Sequence, residues 1–163
     1  QVKLFVRNIA SKLLPGVMLS LAFASCKRET CEEEAPDLRF DTLIYKITTP
    51  TDSLILRTRF LDCQGDIGFS DSTGGFDIRT YLFEYVNNEW KRFYPLDSAD
   101  TVGFFAKIPY SDKLKENATL EGLLEQKFGA VKQNSDTIRF QTFIIDRAGN
   151  KSNIVTTPTF ILP

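Results

Sequence analysis

The chain predicts an all-β fold, an antiparallel β-sandwich of about seven strands. Three observations carry that expectation. Ser53 to Leu61 (SLILRTRFL) alternates, with Leu54, Leu56, Thr58 and Phe60 on one face and Arg57 and Arg59 on the other, the period of a half-buried strand. Asn87-Asn88 separates two further apolar runs, and such a pair tolerates the left-handed backbone of a tight hairpin. Fourteen phenylalanines against one methionine suit a rigid aromatic core between sheets better than a helical bundle.

The segment before that domain has a different character. Residues 1–25 contain Lys3, Arg7 and Lys12 and no acidic residue, and Leu13 to Ser25 is a 13-residue apolar run ending in the small residues Ala24 and Ser25. Charge, then apolar run, then small residues is the order of a secretory signal. The run is interrupted by Pro15 and Gly16 and falls short of the roughly 20 apolar residues a spanning helix needs. Leu21-Ala22-Phe23-Ala24-Ser25-Cys26 resembles the lipobox of bacterial lipoproteins. The resemblance implies removal of residues 1–25 and a lipidated Cys26 as the first mature residue, held by several acyl chains.

Residues 26–36 follow as a tether, with Glu29, Glu32, Glu33 and Glu34 close behind Cys26. Such a charge run is a solvated, unstructured segment. An acidic stretch at this place also resembles the surface-export signal of Bacteroidota-type outer-membrane lipoproteins. That resemblance implies lipid anchorage in the outer membrane, facing the exterior.

Pro36 marks the entry to the sandwich domain, residues 37–163. Asp41 to Thr48 reads as the first strand, ended by Thr49-Pro50-Thr51-Asp52, and Ser53 to Leu61 as the second. Residues 62–76 form a long Asp/Gly/Ser-rich loop. Phe76 to Val86, Glu89 to Tyr94 and Thr101 to Ile108 are further strands. Thr137 to Asp146 and Asn153 to Leu162 close the chain as a hairpin. Residues 111–131 stay open between a helix and an irregular strand pair: Leu114, Ala118, Leu120, Leu124 and Phe128 fit a helical face, whereas Gly122 and Gly129 weaken it. The run Asp146-Arg147-Ala148-Gly149-Asn150-Lys151-Ser152-Asn153 resembles the last hairpin of bacterial immunoglobulin-like domains. It implies that fold, and its Gly149-Asn150 reads as a turn rather than a binding site.

Composition narrows the function classes. The chain has 20 basic and 21 acidic residues and no histidine. Without Lys3, Arg7 and Lys12 the balance is 17 against 21, or −4, which does not favour nucleic acid as a partner. The missing histidine excludes His-dependent triads, His metal ligands and a His general base. Carboxylate chemistry needs only Asp and Glu, but Asp97 with Asp100, or Glu84 with Glu89, have no spacing that distinguishes them from solvated surface charge. No catalytic residue is assigned.

Four patterns are candidate sites. Asp62-Cys63-Gln64-Gly65-Asp66-Ile67-Gly68, with Asp71 beyond it, resembles a "DGDGDIG" loop of uncharacterised Bacteroidota-type lipoproteins. Asp62, Asp66 and Asp71 are carboxylates of the kind a hard cation such as Ca²⁺ takes, though Ca²⁺ wants about six to eight oxygens; the competing reading is an Asx-type turn with Ile67 plugging the sandwich end. Cys31 and Cys63 are the other two thiols and pair in an oxidising envelope, or Cys63 is a small buried residue. Six aspartates, at 41, 52, 71, 97, 100 and 136, precede Ser or Thr and then a small or aliphatic residue. This tripeptide resembles the O-glycosylation acceptor of exported Bacteroidota-type proteins and implies sugars on Thr42, Ser53, Ser72, Ser98, Thr101 and Thr137. An aspartate ending a turn before a strand gives the same letters. Trp90 and Tyr94, beside a hairpin turn, are the aromatics expected at the surface as a glycan-stacking platform.

The expectation is a non-enzymatic, lipid-anchored envelope protein, a binding or accessory subunit of a larger uptake, secretion or adhesion complex. A free-standing Ca²⁺-stiffened adhesin or glycan-binding module, and more remotely a small carboxylate-dependent glycan hydrolase, are the alternatives.

Overall fold

Alternation of apolar and polar residues at period two leaves each strand with one face to bury, and two sheets packed face to face bury both sets. A computed structural model of the chain describes residues 2–7, 31, 34–47, 52–68, 75–93, 103–108, 118–129 and 134–163. Its strands are β1 (Val2–Arg7), β2 (Asp37–Lys46), β3 (Ser53–Asp62), β4 (Ile78–Val86), β5 (Glu89–Arg92), β6 (Phe104–Ala106), β7 (Leu120–Gly129), β8 (Thr137–Ile144), β9 (Val155–Thr156) and β10 (Phe160–Ile161). Two antiparallel sheets result, one ordered β1-β7-β3-β2 and the other β10-β8-β4-β5, with β6 beside β4 and β9 beside β8. Setting β1 apart, β7-β3-β2 make one layer of a β-sandwich and β10-β8-β4-β5 the other.

The ten elements exceed the seven or so expected for simple reasons. Val155–Thr156 and Phe160–Ile161 are two stretches of one return along β8, interrupted at Pro158, which has no N–H to give. Val2–Arg7, within the segment read from sequence as a leader, pairs with β7 from Val2 opposite Gln126 to Arg7 opposite Glu121.

Residues 111–131, left open between helix and strand pair, are a regular strand where they are described, from Leu120 to Gly129. Leu120, Leu124, Gln126 and Phe128 are buried on one face and Glu121, Lys127 and Gly129 point outward. A spacing of four residues satisfies both the helical and the strand period. Gly122 and a partner strand on either side settle it for the strand.

The β4–β5 hairpin turns through Asn87 and Asn88 at φ of 55° and 61°, the left-handed pair of a type I′ turn. The core lies between the sheets in two clusters, one around Phe60, Ile78, Leu124 and Ile144, the other around Leu56, Leu82, Phe128 and Phe140. At its centre a polar bridge joins them: Thr80 donates to Gln126 Oε1 at 2.8 Å and lies 2.8 Å from the Thr142 hydroxyl, all three side chains being buried.

The closing turn is built from its own side chains. Asp146 accepts from the Asn150 backbone N–H at 2.7 Å and from its side chain at 3.0 Å. Asn153 reaches the other sheet, accepting from Leu38 N–H and donating to Leu38 C=O, both at 2.7 Å. One amide therefore stands in for a strand partner at the start of β2.

Candidate functional site

The two outward faces of the sandwich handle their cations differently. On the first sheet, Arg39, Arg57 and Arg59 each meet a carboxylate, Asp37, Glu125 and Asp41 respectively, at 2.8–2.9 Å. On the outer side of the second sheet several cations lie over or beside rings. The strand period puts Arg79, Tyr81, Phe83 and Tyr85 of β4 on its outer side. Register sets Arg92 and Arg139 on either side of Phe83, and Phe105 and Phe143 on either side of Arg79. The guanidinium of Arg92 sits 3.8 Å over the Tyr81 ring, that of Arg139 4.2 Å over Trp90 and 5.7 Å from Phe83, and that of Arg79 5.8 Å from Phe105. Lys151, from the turn after β8, places its Nζ 4.0 Å over Phe143.

Trp90 is half-buried, packed against Tyr85 with ring centroids 5.2 Å apart as well as under Arg139. Its ring is thus covered by a cation rather than presented bare, which alters the platform expected of it; Tyr94 lies outside the described residues. Tyr85, 41% exposed, is the open ring of the pair. Strand letters alone do not reveal this arrangement. Arg79, Arg92 and Arg139 each read as ordinary outward charges until the register brings three strands together.

The Asp62 loop is organised as a turn. Asp62 is fully buried, and its two oxygens accept from Gln64 N–H at 3.1 Å and Ile67 N–H at 3.0 Å. Ile67 is buried beneath it in the core. Gly65 turns at φ of 70°, and a Cβ there would run into the Ala118 carbonyl oxygen. Asp66 accepts from Ala148 N–H at 3.2 Å. Its carboxyl is pushed above the usual range by burial, then by the charges of Asp146 and Asp62, against the opposing pull of the Ala148 N–H and Arg147. Asp71 lies outside the described residues. Among the described residues no three metal-ligating side chains converge, and both Asp62 oxygens accept backbone N–H groups.

A disulfide joins Cys31 to Cys63, with Cα atoms 5.2 Å apart. It fastens the segment ahead of β2 to the end of β3. Cys26 lies outside the described residues.

The glycosylation candidates are scattered. Thr42 is half-buried beside the β-bulge that follows Phe40. Ser53 is 3% exposed, which leaves no room for a sugar in the folded domain. The Thr137 hydroxyl donates to Asp136 at 2.9 Å. Ser72, Ser98 and Thr101 lie outside the described residues. Glu84, weighed with Glu89 as a carboxylate pair, faces inward and accepts from Asn134 N–H at 2.8 Å. Asp97 and Asp100 lie outside the described residues.

No family model, curated protein or solved structure matches the chain.

Proposed function

We propose that this chain is a lipid-anchored, outward-facing envelope protein of the outer-membrane type, serving as a non-enzymatic binding or accessory subunit of a larger membrane-protein complex. The lipobox-like Leu21–Cys26 and the glutamates behind it motivate the reading. The single structural observation that supports it is the Cys31–Cys63 disulfide. Disulfides persist in oxidising, exported compartments, and this one lies five residues beyond Cys26.

In an anchored molecule the bond would also limit the orientation. Five extended residues reach at most about 17 Å, so the end of β3 would sit close to the bilayer. β4 starts at that same end, since Asp77 and Asp66 both bond to the residues just after β8. It then runs nine residues away from it, about 30 Å. The Asn87-Asn88 hairpin, with Tyr85 and Trp90, would therefore be the distal end.

The test is metabolic labelling with an alkyne fatty acid, followed by fractionation of the envelope. Label on the native chain, absent from Cys26→Ala, with the protein in the outer-membrane fraction, is the expected result. An unlabelled chain found in the soluble fraction would sink the reading. Co-purification from detergent extracts then separates an accessory subunit, which brings a stoichiometric membrane protein, from a free-standing binder.

A further inference from the structure

We propose that the outer face of the second sheet binds an acidic polysaccharide, with Arg79 and Arg139 receiving its carboxylate or sulfate groups. This gives a ligand class to the binding role proposed above and rests on that role.

The two faces treat charge differently. The chain is slightly acidic overall, yet the outer side of β4, β5 and β8 carries Arg79, Arg92 and Arg139, with Lys151 beside them and no acidic residue among the described positions. Arg79, Arg139 and Lys151 have no ion pair among the described residues. The first sheet shows the other solution, a carboxylate for each of Arg39, Arg57 and Arg59. Arg79, Arg139 and Lys151 thus keep their charge for an external anion.

The Nε of Arg139 is buried without a hydrogen-bond partner among the described residues. A guanidinium over a ring is engaged through its π face, while its N–H donors lie in its own plane and match a carboxylate or sulfate. Contact with Trp90 at 4.2 Å holds Arg139 beforehand, so less rotamer entropy is lost there on binding. Charge-assisted contacts of this kind are the strong ones.

The same geometry disfavours other anions. Single-stranded nucleic acid needs bare ring faces on which successive bases stack. Here Tyr81, Trp90 and Phe143 are each overlaid by a cation, and the rings are inclined to one another by 37° to 89° along this face. A membrane surface would need the face turned to the bilayer, whereas it runs lengthwise from the tethered end to the distal hairpin. An extended sugar chain with repeated charges fits a lengthwise face.

The experiment uses the full chain extracted from membranes in detergent, titrated calorimetrically with polygalacturonate, dextran sulfate, neutral dextran, poly(dT) and phosphatidylglycerol vesicles. The expected result is binding to one or both acidic glycans, weakened by salt, and none to neutral dextran. Arg79→Gln with Arg139→Gln should weaken it about a hundredfold, roughly tenfold for each charged contact. Arg59→Gln, on the opposite face, should leave it unchanged.

Circular dichroism checks that the double variant folds. If it does not, Arg79→Lys with Arg139→Lys, which keeps the charge and loses the planar fork, should still bind about tenfold more weakly. The proposal is overturned by equal binding of neutral dextran, by undiminished binding in a folded variant, or by tighter binding of poly(dT) or vesicles. Mass analysis of Cys26 in the same preparation keeps the two readings apart. A lipidated chain that ignores acidic glycans ends this inference alone, and a glycan-binding chain without lipid ends the anchor reading alone.

Discussion

Replacing Cys31 and Cys63 by serine should cost this domain a large part of its stability. The two residues are 32 apart in sequence, and a loop of that length removes about 3.7 kcal/mol of chain entropy from the unfolded state at 25 °C. Domains of this kind hold about 5–15 kcal/mol in total, so the bond is between a quarter and most of the margin. With a urea slope of about 2 kcal/mol/M, the midpoint should fall by about 1.9 M. Urea unfolding of the full chain, followed by tryptophan fluorescence at Trp90, measures it. A reductant supplies the internal control: it should move the native midpoint to that of Cys31→Ser/Cys63→Ser and leave the variant where it was. Coincident midpoints for native and variant, or an equal response of both to reductant, would refute the argument that this crosslink constrains the unfolded chain.

Three further perturbations test other parts of the fold. Thr80→Val should destabilise by about 1–3 kcal/mol because Gln126 and Thr142 lose their buried partner; Thr80→Val/Gln126→Leu/Thr142→Val should recover most of that loss in guanidinium unfolding. Asn153→Ala removes both bonds to Leu38 and should cost about 1–3 kcal/mol, read as a lowered thermal midpoint. Asp66 has its carboxyl raised in the folded state. Its contribution is therefore retained below the unfolded value of about 3.9 and declines as pH rises through the folded one. Asp66→Asn should flatten that acid-to-neutral fall in a pH series of thermal midpoints, and an unchanged slope would contradict it.

Much of the architecture was legible because period and turn chemistry agree locally. β3 alternates in burial from Leu56 to Asp62 as its letters do, though Ser53 to Leu56 is buried throughout, and Asn87-Asn88 takes the left-handed pair its letters allow. Leu120, Leu124 and Phe128 were ambiguous because steps of four fit both periods, and only the neighbours β3 and β1 decide between them. The Asp62 loop was ambiguous for a different reason: an aspartate suits a cation or a backbone N–H equally well, and the identity of its donors is a tertiary fact. The spacing of Cys31 and Cys63 is silent on pairing until β2 is laid against β3. Least legible was the cation–ring face, which draws one residue at a time from β4, β5, β6 and β8.

The proposed removal of residues 1–25 would have a consequence for the outermost strand of the first sheet. β1 is Val2–Arg7 and covers the backbone of β7 from Glu121 to Gln126. A cut ahead of Cys26 would take that cover away and leave β7 as an open rim, the kind of edge that recruits other strands. Precursor and product would then differ in more than length. The precursor would travel sheathed, and the blade would be bared only when the protein is moored.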